Sequence, residues 1–119
     1  MMSSAANGLI VLVALLHVGF LVLEMFFWDK PIGRRVFGLT REFATHSRVL
    51  AANQGLYNGF LAAGLCWGLW LGAAGFAVKV FFLLCVVAAG VFGGFTASRM
   101  ILVVQALPAG LALALLTMG

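Results

Sequence analysis

Seven side chains of this sequence carry the chemistry to bind a ligand or move a proton: His17, Glu24, Asn53, Gln54, Tyr57, Asn58 and Gln105. All stand in apolar runs, where a carboxylate, an imidazole or an amide is expensive to keep. Glu24 is a candidate proton acceptor and His17 its candidate proton partner. They are seven residues apart, two helical turns, and therefore share a face. Asn53 and Tyr57 are four apart, as are Gln54 and Asn58, which makes a broad polar stripe along one helix. The amides would orient a ligand by hydrogen bonds, and Tyr57 would form an amphipathic wall. Gln105 stands three residues before Pro108, whose missing N–H loosens the local backbone and frees carbonyls to turn inward. An ionised Glu24 needs His17, Arg48 or water beside it; otherwise it must carry a proton. For Asn58, Gln54 and Gln105 the structural alternative is hydrogen-bonded glue between helices, worth about 1 kcal/mol each.

The elements that must hold these groups are membrane helices. The chain is 65% hydrophobic and 8% charged over 119 residues, with a mean hydropathy of +1.19, which excludes a soluble domain. Four apolar runs of about twenty residues, each long enough to cross a bilayer, lie roughly at Asn7 to Trp28, Arg48 to Gly72, Phe76 to Ala97 and Met100 to Met118. One long loop, Asp29 to Ser47, and two tight links, near Ala73–Gly75 and Ser98–Arg99, join them. The fold expected is an all-α membrane protein: a single-domain, up-and-down bundle of four transmembrane helices with one long cytoplasmic loop after helix 1. A closed barrel is excluded, because its strands would alternate polar and apolar residues whereas these runs are apolar on every face. The first run lacks a basic start and a small-residue cleavage site, so it reads as a retained helix.

Charge sets the expected topology. Lys30, Arg34, Arg35, Arg41, Arg48 and Arg99 fall on one face and only Lys79 on the other, six against one of the seven bases. That bias puts the long loop in the cytoplasm and both termini outside it, in a bacterial inner membrane. Arg34, Arg35, Arg48 and Arg99 are placed to touch anionic headgroups. The high pI, near 9.8, therefore reflects topology, and no nucleic-acid partner is expected. At about 1.5 Å per residue from the cytoplasmic ends, Glu24 lies about 6 Å deep, Asn53, Gln54 and Gln105 about 8 to 9 Å, and His17 and Asn58 about 15 Å. The polar groups thus form a funnel open to the inner side beneath an apolar lid, which argues against a permanently open pore.

Small residues recur every four positions. Ala51, Gly55, Gly59 and Ala63 make one row, Gly64, Gly68 and Gly72 a second, and Ala89, Gly93 and Ala97 lie beside Gly90, Gly94 and Ser98. Such rows allow close helix approach, and two of them on helix 2 suggest a homo-oligomer, a dimer or trimer. The two cysteines, Cys66 and Cys85, sit in apolar runs and are expected to be buried, inert thiols. With only two Cys and two scattered His, no metal site is expected, and no cofactor-binding or nucleophile motif appears.

The stretches Leu23–Trp28, Gly33–Thr40 and Val49–Gly59, with Ser98-Arg99 and Val104–Pro108, resemble the bacterial DUF1304 family, a domain of unknown function. That resemblance spans almost the whole chain and implies a small four-helix integral membrane protein. Arg48-Val49, Ala52-Asn53 and Asn58 are more faintly similar to the second-helix signature of the eicosanoid and glutathione membrane enzymes, the MAPEG superfamily. This likeness implies trimers of four-helix subunits. The sequence departs from that signature at Ala51, Gly55 and Leu56–Asn58, where the family places Arg, Asn and Glu. An anionic tripeptide would lose its charge partners there, so the layout with another ligand is what the likeness implies.

The function expected is a pocket in the cytoplasmic half of the bundle for an amphiphilic or lipid-like small molecule, with an apolar tail among aromatic residues and a polar head on the seven side chains. Binding alone, chemistry at the pocket, and a structural or assembly role without catalysis all fit these residues. A small multidrug-type proton-coupled transporter ranks second. Such transporters pair antiparallel with balanced loop charges and hold their Glu near mid-membrane, whereas here the bases divide six to one and Glu24 lies near the interface.

Overall fold

The structure is a computed structural model describing residues 2–118. The described residues are mostly helical and contain no strand. In order they form α1 (Met2–Phe26), the short α2 (Pro31–Phe37), α3 (Arg41–Leu71), a 3-10 turn (Gly72–Gly75), α4 (Phe76–Thr96), the single turn α5 (Arg99–Ile101), a π turn (Leu102–Ala106) and α6 (Leu107–Met118). Three stretches, Ser4–Phe26, Arg41–Thr96 and Arg99–Met118, are long and apolar enough to cross a membrane. The middle one turns back on itself at the 3-10 turn. Gly72 takes φ 63°, a left-handed conformation open to a residue without a Cβ. Beyond it Gly68 faces Lys79 and Gly64 faces the Phe82 ring, so α4 runs back along α3.

The segment Asp29–Ser47, expected as a loop, is mostly helical. Pro31 falls in the first turn of α2, where a missing N–H costs nothing, and Gly38 closes that helix at φ 66°. The Leu39 N–H then donates to the Arg34 carbonyl at 2.8 Å. Thr40 starts α3: its Oγ1 accepts from the Phe43 N–H at 3.1 Å, and Glu42 lies in the first turn at the positive end of the helix. Apolar run length misses this start because Arg41, Glu42, Thr45 and His46 are polar. Thr40→Ala should lower stability by about 1 kcal/mol, read as a drop in thermal midpoint in detergent that Thr40→Ser largely restores.

The chain divides into two compact units. One contains the first part of α1 and everything from Leu61 on. Its core is Ile10, Val13, Ala14, Leu65, Leu83, Val86, Ala109 and Ala112. In the same unit Gly90 packs on Ala106, Gly93 on Ile101 and Gly94 on Leu102. Pro108 has no N–H to give Val104, and the helix widens just ahead of it into the π turn, where the Leu107 N–H reaches the Leu102 carbonyl. The other unit, Leu16–Phe60, is a hairpin of α1 and α3 with α2 between them. There Gly55 lies against Leu21, Glu24 and Met25, and Gly59 against Leu21.

Of the glycines in the small-residue rows, Gly55, Gly59, Gly64, Gly68, Gly90, Gly93 and Gly94 thus lie against neighbours inside the chain, whereas nothing stands within 4 Å of a Cβ at Gly72.

Candidate functional site

Within the Leu16–Phe60 unit, polar contacts set the register of α1 against α3. The Trp28 Nε1–H donates to Ser47 Oγ at 2.9 Å, and that hydroxyl donates to the Phe43 carbonyl at 2.6 Å. The Trp28 ring also rests on Phe37 of α2, with centroids 4.9 Å apart. Asp29 and Arg48 approach to 3.7 Å. Arg48 is thus engaged by Asp29, not by Glu24. Trp28 and Asp29, just past α1, thus pair with Ser47 and Arg48 on one turn of α3.

One helix-pair deeper, Asn58 Nδ2 donates to Glu24 Oε1 at 2.5 Å. Both side chains are buried, Glu24 at 9% exposure and Asn58 at 4%. Rise per residue alone places Asn58 far deeper than Glu24, yet the two meet. Helical side chains lean toward their own N-terminus. In antiparallel helices, Glu24 therefore leans inward along α1 while Asn58 leans back toward the α3 start, and the gap closes. Gly55, one turn before Asn58, supplies the close approach: a Cβ there would stand 3.1 Å from the Leu21 carbonyl oxygen and 3.2 Å from Glu24 Cβ.

His17 is fully buried two turns above Glu24, its ring edge-on to Phe20 at 5.4 Å between centroids. Asn53, Gln54 and Tyr57 lie on the exposed part of α3. Asn53 Nδ2 donates to the Tyr57 hydroxyl at 3.2 Å, and the exposed Leu50 and Phe60 flank that pair. The stripe inferred from four-residue spacing is thereby split. Asn58 turns inward to Glu24, while Asn53 and Tyr57 turn outward together.

Gln105 belongs to the other unit, half-buried in the π turn. Arg35 is exposed and Arg34 half-buried, with its Nε shielded and without a hydrogen-bond partner. Arg99 is exposed and helps line a cleft of about 430 Å3 with Gly94, Phe95, Thr96, Ala97, Ser98 and Leu102. None of the seven expected pocket residues lines that cleft. Among the described residues no cluster of His, Cys, Asp or Glu could hold a metal.

One further polar pair has little signature in the sequence. Lys79 on α4 is 5% exposed, and its Nζ donates to Asn7 Oδ1 on α1 at 3.0 Å. The available signal was an amide and a base, each within a few residues of the same end of two apolar runs.

Apolar helices of membrane-crossing length, carrying a few internally bonded polar side chains, define a small helical protein of the membrane type. Residues 11–117 match the family described as protein of unknown function (DUF1304), and the chain belongs to it. It is 31% identical over 96 residues to the uncharacterized protein YpaA of Lactococcus lactis subsp. lactis (strain IL1403), covering 79% of this chain and 81% of that protein. No solved structure matches the chain. These matches do not carry the fainter likeness to the eicosanoid and glutathione enzymes.

Proposed function

We propose that this chain is an integral protein of the bacterial cytoplasmic membrane that holds the polar head of an amphiphile on the outward face of α3. In this reading the spans are four, formed by α1, α3, α4 and the stretch from α5 to α6; the helix lengths and the reversal at Gly72 support it. The six-to-one division of bases directs the Trp28–Arg48 end to the cytoplasm and both termini away from it.

The observation that carries the ligand is the exposed Asn53–Tyr57 pair, with the exposed Gln54 next to it, among the exposed apolar side chains Leu50, Leu56 and Phe60. Hydrocarbon offers an amide nothing, and one mutual hydrogen bond leaves the amide oxygen and the second N–H unserved. A polar headgroup would supply those partners, with Gln54 beside it, Arg34, Arg35 and Arg48 toward the interface, and its tail along Leu50 and Phe60. The buried Glu24–Asn58 bond then serves to hold α1 and α3 at fixed register.

The test is lipid mass spectrometry on protein extracted in mild detergent. Asn53→Leu with Gln54→Leu should reduce retention of the copurifying amphiphile about fivefold to tenfold. Retention equal to wild type would refute the site. A homo-oligomer, dimer or trimer, is the other way to cover this face; efficient disulfide cross-linking of Asn53→Cys between copies, with no bound lipid, would establish it. Proton-coupled transport ranks behind, favoured by the buried Glu24 in α1 and opposed by the charge asymmetry.

A further inference from the structure

The chain has three acidic side chains, Glu24, Asp29 and Glu42, and all lie within the Leu16–Phe60 unit. Lys79 lies in the other unit. Its ammonium has three N–H donors, and its hydrogen bond goes to the neutral Asn7 amide. A cation screened from water needs a counter-charge as well as hydrogen bonds, and no side-chain carboxylate of this unit can provide one.

Its location sharpens the imbalance. Lys79 is in the first turn of α4, a helix of 21 residues whose start has no side-chain cap and no acidic residue. The N-terminal end of a helix carries partial positive charge and unsatisfied N–H groups. Lysine there adds charge of the same sign. Packing nevertheless accommodates the side chain: a Cβ at Gly68 would stand 2.8 Å from Lys79 Cγ, so the missing side chain on α3 makes room for the lysine stem.

We propose that Lys79 and Asn7 form a binding site for a phosphate-type oxyanion, carried by a phospholipid headgroup or free in solution, at the end of α4 remote from Arg99. The ammonium supplies charge, and the Asn7 amide orients it and offers a further donor. This site is independent of the α3 face and stands whether or not an amphiphile binds there.

The full chain is studied in a maltoside micelle free of phosphate, with the thermal midpoint followed by tryptophan fluorescence. Without anion, K79M should be as stable as wild type or more so, since a buried charge has been removed. On titration with phosphatidylglycerol, the midpoint of wild type and K79R should rise, while K79M responds with an apparent affinity about tenfold weaker. The arginines contribute equally to all three proteins, so the difference reports Lys79. A Lys79-dependent rise with inorganic phosphate as well identifies a free-ion site, and a rise with lipid alone identifies a headgroup site; either sustains the proposal. Equal responses of wild type and K79M to both probes overturn it. Should K79M fail to fold, N7A is assayed by native mass spectrometry: loss of a bound phosphatidylglycerol sustains the site, and unchanged occupancy overturns it.

Discussion

Asn58→Leu should cost about 3 kcal/mol of stability, because it strands the buried Glu24 carboxyl group without its hydrogen-bonding partner. Glu24 is 9% exposed, and Asn58 is its partner among the described residues. Glu24→Leu should cost less, about 1 to 3 kcal/mol, since what it strands is a neutral amide. Replacing both together removes the donor and the acceptor, so the double variant should recover most of the loss shown by Asn58→Leu. Glu24→Gln keeps an acceptor oxygen and should lie within about 1 kcal/mol of wild type. Equilibrium unfolding in mixed micelles measures all four. A loss under about 0.5 kcal/mol for Asn58→Leu would mean that Glu24 finds water or another partner. The same variants separate structure from function: if Glu24 only fixes helix register, Glu24→Gln leaves amphiphile retention unchanged.

Why the sequence showed the helices but not the site follows from what each depends on. Helix number and approximate extent rest on apolar run length, a local property. The run from Phe76 becomes α4, and the tight links become the 3-10 turn at Gly72–Gly75 and the short break before Arg99. The start of α3 rests on Thr40 acting as a cap, a signal carried by one hydroxyl and invisible to hydropathy. Family membership was legible because the motifs from Leu23 to Gly59 are contiguous strings. The partner of Glu24 was not, since residue spacing fixes azimuth on one helix but not which facing helix meets it. Asn53, Tyr57 and Asn58 lie within five residues, and only the packing of α3 on α1 decides that Asn58 turns in while the other two turn out. In the sequence Lys79 is only one charge in the topology balance, because its bond to Asn7 joins residues 72 apart.

Gly90→Leu should be among the most damaging single substitutions in the chain, with a loss of about 3 kcal/mol. A Cβ at Gly90 would stand 2.6 Å from the Ala106 backbone nitrogen and 2.8 Å from Ala106 Cβ. Neither atom belongs to a flexible side chain, so α4 and the π turn must separate for the new side chain to fit. Between apolar helices in lipid no hydrophobic force drives them back together, because close packing is itself the attraction. Gly19→Leu is the control, since nothing stands within 4 Å of a Cβ at that position. It should change stability by less than about 0.5 kcal/mol. The pair of variants also decides what small residues do here. If Gly90→Leu lowers the unfolding midpoint while Gly19→Leu does not, and neither alters the oligomeric state, tight glycine contacts belong to the fold of one chain. If Gly90→Leu is tolerated and Gly19→Leu disperses an oligomer, the open glycine face of α1 is where copies meet, and the α3 face is left for the amphiphile alone.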